Sequence, residues 1–281
     1  MDYSCFDVSI ENRVAHIVLN RPDKRNAMIP AFWDELPAIV EDIDENSRAR
    51  VIVISSTGPH FSSGMDVSAF SGADLTGDGD DKRRASLQHG ARFYRTVKRL
   101  QHTFSALEAA RVPVLAAIQG GCIGGAVDLV TACDMRYATE DAFITIFETN
   151  IGMTADVGTF PRISKLIPDG LVRELAYTGR RMPAAEAKSI GLVNQVYATQ
   201  EEMLEGVMGV AREIASKAPL AIYGLKQIMN HSRDNRTADT LDYIALWNAS
   251  MLKTDEIHEA MQAAGEKRPG EFVDLPKLSR P

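Results

Sequence analysis

Residues 114–130 read VLAAIQGGCIGGAVDLV, and this stretch decides the fold. It opens with an apolar run, 114–118, of the length expected for a strand buried on both faces. Four glycines follow at 120–125, and the chain then enters an apparent helix at 129–133. A buried strand, a glycine turn and a helix in succession indicate an α/β fold.

The same alternation extends on both sides of this stretch. A hairpin is predicted first, then a helix that begins at Pro30, then a continuous β-branched strand, VIVI, at 51–54. Residues 71–82 are predicted to form a loop, since they are glycine-rich and nearly devoid of apolar side chains. After residue 200 the strand signals fade. We therefore predict a core at 1–200 and a helical segment at 201–281. Strands are predicted at 6–10, 14–19, 51–54, 114–118, 135–137 and 192–197, and helices at 30–45, 93–107, 129–133, 171–178, from 183, at 201–216 and at 237–251.

Composition excludes several classes of protein. The chain has 281 residues, of which 45% are hydrophobic and 25% charged, so it is not disordered, collagenous or membrane-embedded. The net charge of −7 argues against a nucleic-acid partner, although a local basic pocket for one anion stays open. The three cysteines, Cys5, Cys122 and Cys133, suit a reducing compartment. We find neither a signal peptide nor a membrane span, and the chain ends without an SKL address, so we expect a cytoplasmic protein.

Two glycine turns are candidates for anion binding. The segment FSSGMD at 61–66 places Gly64 before Met65, whose N–H is then free to point into a cleft. Gly125 ends the second glycine pair at a strand-to-helix junction, where the first helical N–H groups are unpaired. Neither turn matches a phosphate loop or a dinucleotide-binding motif. Together, the N–H groups of Met65 and Gly125 predict an oxyanion hole, whereas the first turn alone would suit any strand end.

Three acids follow these turns: Asp128, Glu148 and Asp156. Glu148 follows the apolar run 143–147, where desolvation raises a carboxyl pKa toward the range used in proton transfer. Any one of these acids would equally suit a helix cap or a buried ion pair. The three beside two glycine turns favour an active site. No zinc-like cluster and no GxSxG motif is present, and His16 is predicted to be a satisfied strand residue.

The residues that carry this chemistry resemble a known family. GGCIGGAVDLVTACDMRYATEDAF at 120–143, with FSSGMD upstream, resembles the crotonase (enoyl-CoA hydratase/isomerase) superfamily. TADVGTFPR at 154–162 and the acid Asp156 resemble its dienoyl-CoA isomerase branch. The resemblance implies a spiral of ββα units with a C-terminal helical trimerisation segment. It also implies a homotrimer or dimer of trimers, an acyl-CoA thioester substrate, and no cofactor beyond the CoA of the substrate.

The resemblance also implies roles for individual residues. Met65 and Gly125 fall at the oxyanion hole, and Asp128 and Glu148 where hydratases carry two catalytic glutamates. Asp156 falls where dienoyl-CoA isomerases carry a third carboxylate. Two departures are Ser62-Ser63, in place of small apolar residues, and Ala126, in place of a glycine. The residues implied to contact the substrate are Arg25, Ala27, Ser62, Ser63, Gly64, Asp66 and Lys226.

These features predict an isomerase that converts 3,5-dienoyl-CoA to 2,4-dienoyl-CoA in fatty-acid β-oxidation. A hydratase that uses Asp128 and Glu148, with Asp156 incidental, is the first alternative. A non-catalytic acyl-CoA-binding protein is the second. An RNA-binding relative is disfavoured by the net charge.

Overall fold

The computed structural model describes residues 3–66 and 79–278. The chain opens with an antiparallel hairpin whose two turn residues, Asn12 and Arg13, have φ of 50° and 65°. Such positive φ values match the twist of the paired strands. The strands are β1 (Phe6–Glu11), β2 (Val14–Leu19), β3 (Val51–Ser56), β4 (Val114–Ile118), β5 (Gly121–Ile123), β6 (Met135–Thr139), β7 (Phe143–Thr145), β8 (Met182–Pro183) and β9 (Gln195–Tyr197).

Helices connect the strands and cover them. The helices are α1 (Pro30–Glu45), α2 (Gly79–Ala109), α3 (Gly125–Ala132), α4 (Thr159–Ile163), α5 (Asp169–Thr178), α6 (Ala184–Ser189), α7 (Gln200–Ala215), α8 (Pro219–Asp234), α9 (Thr237–Met251) and α10 (Thr254–Glu266). In α1 the apolar side chains at helical spacing are buried, including Phe32, Leu36 and Ile43. This amphipathic pattern is why the segment folds as a helix against the sheet.

The main sheet has six strands in the order β1-β2-β3-β4-β6-β9. All neighbours in it are parallel except β1 and β2. Val51, Ile52, Val53 and Ile54 are completely buried, as expected for a parallel strand covered on both faces. One face packs against α1 and α2. The other packs against α7, which belongs to the packed core although it follows residue 200.

A second, smaller sheet positions the chemistry. Its strands lie in the order β5-β7-β8, with β5 and β7 parallel. The carboxyl ends of parallel strands meet at one edge. The glycine turn after β5 therefore lies beside the residues after β7, where Glu148 begins a short 3-10 turn, Glu148–Ile151.

Three predictions of local structure need correction. Helix α3 begins at Gly125 and not at 129, because tertiary packing outweighs the low helix propensity of glycine. Of the loop predicted at 71–82, residues 71–78 lie outside the described residues. Residues 79–82 belong to α2. The apolar face of α2 is buried at Phe104 and Leu107 but not at Phe93, which is 46% exposed. At 31 residues the helix is about 46 Å long and extends beyond the core.

Candidate active site

The two glycine turns lie against each other. Ser62 N–H donates to Gly121 O (3.1 Å) and Ile123 N–H donates back to Ser62 O (3.1 Å), so the 61–66 segment pairs with β5. Gly64 has φ +80°, and a Cβ there would lie 2.5 Å from Ile123 O and 3.0 Å from Gly125 N. Glycine is therefore required, both for the torsion and for the close approach of the two turns.

Two backbone donors meet at this contact. Met28 N–H donates to Gly64 O and Asp66 N–H donates to Met28 O, which fixes the chain on both sides of Met65. Gly125 is the first residue of α3, where the helix itself offers no acceptor. In the described part of the chain, no acceptor pairs with the N–H of Met65 or Gly125. A Cβ on Gly125 would lie 3.6 Å from Met65 N, so the two donors are neighbours, as an oxyanion hole requires.

A buried asparagine supports the first turn. Asn26 is 3% exposed; its Nδ2 donates to Thr57 O and His60 O, and its Oδ1 accepts from Arg21 N–H. Ser62 Oγ donates to Asn26 O (2.8 Å) and accepts from Gly64 N–H (3.1 Å). The prediction that Ser62 contacts substrate is therefore corrected: its side chain lies under the turn, completely buried. Asn26 was not predicted as a site residue, although it stands between Arg25 and Ala27, which were.

The other predicted contact residues lie on this loop or beside it. Arg25 is exposed, and its carbonyl accepts from Ser63 N–H (2.9 Å). Ala27, Ser63 and Asp66 are partly buried. Ser63 and Gly64 precede Met65 in the first turn, and Asp66 follows it, so these residues flank one of the two free donors.

Asp128 is the deepest of the three acids. It is 1% exposed, one turn into α3, and its Oδ1 accepts from Thr159 N–H of α4 (2.6 Å). Burial raises its pKa to about 7, and repulsion from Glu148 adds to this, while the Thr159 hydrogen bond and Arg162 act in the opposite direction. The group therefore titrates near neutral pH.

Glu148 lies between the glycine turn and Asp156. A Cβ on Gly124 would lie 3.1 Å from Glu148 Oε1, so the carboxylate packs on the turn that carries Gly125. Its Oε2 is buried, and no partner for it exists among residues 3–66 and 79–278. Desolvation raises its pKa, and the charge of Asp156 raises it further. A buried carboxylate oxygen with no partner is suited to accept a proton.

Asp156 is half-buried in the turn that leads to α4. Its backbone carbonyl accepts from Gln101 Nε2 of α2 (2.8 Å), which holds the turn in place. Desolvation raises the pKa of its carboxyl group. The structure thus brings Asp128, Glu148 and Asp156 together, with Glu148 acting electrostatically on Asp128 and Asp156 on Glu148.

Lys226 does not lie where the prediction placed it. The side chain is 3% exposed, and its Nζ donates to Leu107 O (2.8 Å) and Val112 O (3.0 Å) and pairs with Asp134 (2.9 Å). All three of its donors are used inside the fold. The structure therefore does not place Lys226 beside the other residues predicted to contact the substrate, and the lysine instead ties α8 to the segment before β4.

Other reactive side chains are committed to the fold. His16 Nε2 is 2.7 Å from Ser55 Oγ, which confirms it as a satisfied strand histidine. His60 Nδ1 accepts from Gly121 N–H (3.0 Å). Cys5, Cys122 and Cys133 are free and buried. Residues 3–66 and 79–278 contain no group of three potential metal ligands and no helix of the length and apolarity needed to cross a membrane.

Comparison with known proteins fits this geometry. The family model for enoyl-CoA hydratase/isomerase matches residues 9–275. The chain is 43% identical to mitochondrial Delta(3,5)-Delta(2,4)-dienoyl-CoA isomerase of Rattus norvegicus, over 96% of this chain and 82% of that one. It is 40% identical to the peroxisomal protein of the same name in Arabidopsis thaliana, over 94% of each. The crystal structure of enoyl-CoA hydratase from Bacillus anthracis superposes with a TM-score of 0.83 at 28% identity, over 98% of this chain and 100% of that one.

These similarities confirm the α/β, crotonase-like fold and correct the expected location. The predicted cytoplasmic location is wrong, since the relatives are named mitochondrial or peroxisomal. Few, unpaired cysteines suit a reducing compartment, but they do not distinguish the cytoplasm from the interior of an organelle.

Proposed function

Since the chain belongs to the enoyl-CoA hydratase/isomerase family, we infer that it converts 3,5-dienoyl-CoA thioesters to 2,4-dienoyl-CoA thioesters. The observation that carries this inference is the third carboxylate, Asp156, whose charge acts on Glu148. Water addition to a single double bond needs only two acids. A third acid suits a reaction in which protons leave and arrive at distant carbons.

The oxyanion hole makes the first proton removable. A C2 proton next to a thioester is acidic only if the negative charge of the resulting enolate is stabilised. The unpaired N–H groups of Met65 and Gly125 would bind the thioester oxygen as that charge develops, with no reorganisation of solvent. Gly64 and Gly125 allow the two turns to approach closely enough.

Two carboxyl groups then share the proton transfer. Glu148 takes the proton from C2, and the electron pair spreads as a dienolate over C2, C4 and C6. Asp156, in its protonated form, gives a proton to C6, which leaves double bonds at C2 and C4. The raised pKa values of both groups support this division, because desolvation makes Glu148 a stronger base and favours the protonated form of Asp156. Asp128 tunes the pair through its repulsion of Glu148.

The substrate surface follows from the same placement. We propose that Arg25, Ala27, Ser63, Gly64 and Asp66 contact the CoA thioester, with the exposed guanidinium of Arg25 available to a phosphate. No cofactor is required, because the CoA is part of the substrate. We also propose a homotrimer or a dimer of trimers that serves fatty-acid β-oxidation.

An absorbance assay tests the function. Incubation of a 3,5-dienoyl-CoA with the protein should produce the longer-wavelength absorbance of a conjugated 2,4-diene. Crotonyl-CoA should keep its enone absorbance, because its four-carbon chain has neither the 3,5-diene nor the C6 that this proton transfer requires. Rapid loss of that absorbance without diene formation would establish a hydratase instead. Tight CoA binding without turnover of either thioester would establish a binding protein.

A further inference from the structure

A buried arginine lies behind the three acids. Arg162 on α4 is 8% exposed, and it reaches α2 on the opposite side. Its Nε donates to Glu108 Oε2 (2.8 Å), and its Nη2 lies 2.6 Å from the same oxygen and 3.1 Å from Ser105 Oγ. A buried arginine is costly unless it is paired, and this one is only partly paired.

The remaining donor of Arg162 faces the catalytic turn. Its Nη1 is buried and has no hydrogen-bond partner within the described residues. A Cβ built on Gly158 would lie 1.9 Å from this nitrogen, so the guanidinium packs directly on the 156–158 turn. Thr159, the next residue, donates its N–H to Asp128. One short helix, α4, thus carries both the N–H that bonds Asp128 and the guanidinium that packs on the residue before that N–H.

We propose that Arg162 is a positioning residue, which favours the ionised form of Asp128, and that Glu108 limits this effect by pairing with Arg162. The inference rests on the proposed function only for the importance of Asp128 to the reaction. The charge balance itself is a property of the unliganded fold.

The charges that face Asp128 are few and of both signs. Glu148, after β7, is a like charge and raises the pKa of Asp128, whereas Arg162, on α4, lowers it. The charge of Asp128 in turn raises the pKa of the Cys122 thiol on β5. On α2, Glu108 contacts the far side of Arg162. Burial raises the pKa of Glu108, but hydrogen bonds from Arg162 and Arg233 outweigh burial, so Glu108 is ionised and offsets part of the Arg162 charge.

The chemical consequence reaches the catalytic base. An ionised Asp128 repels negative charge on Glu148, and this repulsion makes Glu148 a stronger base toward the C2 proton. Without Arg162, Asp128 would hold its proton to higher pH and the repulsion would be lost. Arg162 thereby acts on the reaction through Asp128, without touching the substrate.

Two opposite substitutions test the proposal on the full chain. Infrared titration can follow the C=O stretch of protonated Asp128, assigned as the band that is lost in Asp128→Asn. Arg162→Gln should shift this titration to higher pH, because the positive charge is removed. Glu108→Gln should shift it to lower pH, because Arg162 is then less neutralised. A purely structural role would not produce shifts of opposite sign.

The matched control is Arg233→Gln. Arg233 donates to the other oxygen of Glu108 (2.6 Å) from a side chain that is 32% exposed, so solvent screens its charge and its loss should leave the Asp128 titration in place. If Arg162→Gln does not fold, Glu108→Gln still decides, since an unchanged or raised titration would overturn the proposal. An unchanged titration in Arg162→Gln would overturn it as well. The titration needs no turnover, so it is independent of whether the isomerase assay succeeds.

Discussion

At the scale of single residues, Asp128 combines deep burial with a hydrogen bond that favours its charge. It is 1% exposed, and burial raises its pKa to about 7 from the ordinary value of 3.8. The folded chain therefore binds a proton at this site between about pH 4 and pH 7, where the unfolded chain does not. The free energy of unfolding accordingly falls as pH rises through this window, and it levels off above it.

Asp128→Asn should remove this pH dependence. Asparagine keeps an oxygen for Thr159 N–H but carries no charge to desolvate. As pH rises from about 4 to about 7, the free energy of unfolding of the variant should increase relative to that of the wild type, by up to about 4 kcal/mol in total. Denaturant unfolding across this range at one protein concentration measures the difference. A constant difference would show that Asp128 does not titrate near neutral pH.

Gly64→Ala tests the contact of the two turns. An alanine at φ +80° is strained by roughly 1–2 kcal/mol, and its Cβ would lie 2.5 Å from Ile123 O. Displacing this turn moves the Met65 N–H, so kcat should fall roughly 10²–10³-fold. The control is Gly170→Ala on α5, where a Cβ meets no atom within 4 Å and activity should be unchanged. Equal activities in the two variants would rule out the assigned hole.

At this scale, a residue's role could be predicted when it depends on sequence neighbours and not when it depends on distant residues. Glu148 follows its apolar run directly, so its burial could be inferred from its neighbours. Arg162 could not be inferred, because its partner Glu108 is 54 residues away and only the fold brings them together. Lys226 was placed wrongly for the same reason, since its acceptors Leu107 and Val112 lie 119 and 114 residues away.

At the scale of elements, predictions succeeded where periodicity and packing agree. The predicted helix 30–45 matches α1, because a proline starts it and its apolar side chains face one core. The short strands β5 and β7 were not predicted, since three residues give no period, and they form by pairing with each other and with residues distant in sequence. Helix α8 was missed because Leu225 and Met229 are exposed, so its apolar residues do not mark a single buried face.

The C-terminal tail is an element held mainly by two buried arginines. Arg111 is 6% exposed; its Nε donates to Asp44 Oδ1 (3.0 Å) and its Nη1 to Pro276 O (2.8 Å). Arg50 donates to Phe272 O (2.7 Å) and pairs with Asp274. The tail thereby closes over the end of α1.

Arg111→Ala should therefore release the tail and destabilise the fold. It leaves the side chain of Asp44, which is 13% exposed, without its charged partner and with the backbone N–H of residue 111 as its remaining donor, which should lower the free energy of unfolding by about 3 kcal/mol. Limited trypsin digestion should then cut the tail after Lys277 faster. The control Arg173→Ala removes an exposed pair with Asp169 and should change little. A tail that stays protected in Arg111→Ala would show that other contacts hold it.

At the scale of the whole molecule, apolar side chains remain exposed on the C-terminal helices. Leu225 is 55% exposed, Leu246 67% and Met261 70%. Exposed apolar groups on successive helices favour a contact with another chain. Sedimentation equilibrium should give three or six times the 30.8 kDa of the chain, and Leu246→Glu should lower that mass. A wild-type monomer at micromolar concentration would contradict the proposed assembly.

The central claim about the whole molecule is that two carboxyl groups divide the proton transfer. One takes a proton from C2, and the other delivers a different proton to C6. Isomerisation of a 3,5-dienoyl-CoA in D₂O, followed by mass spectrometry and NMR, tests this most directly. The wild type should place deuterium at C6 of the 2,4-dienoyl product. Asp156→Asn should still exchange the C2 protons of the substrate, while product formation falls roughly 10²–10⁴-fold. Full isomerisation by Asp156→Asn would contradict the account. Loss of both C2 exchange and product formation in this variant would contradict it as well.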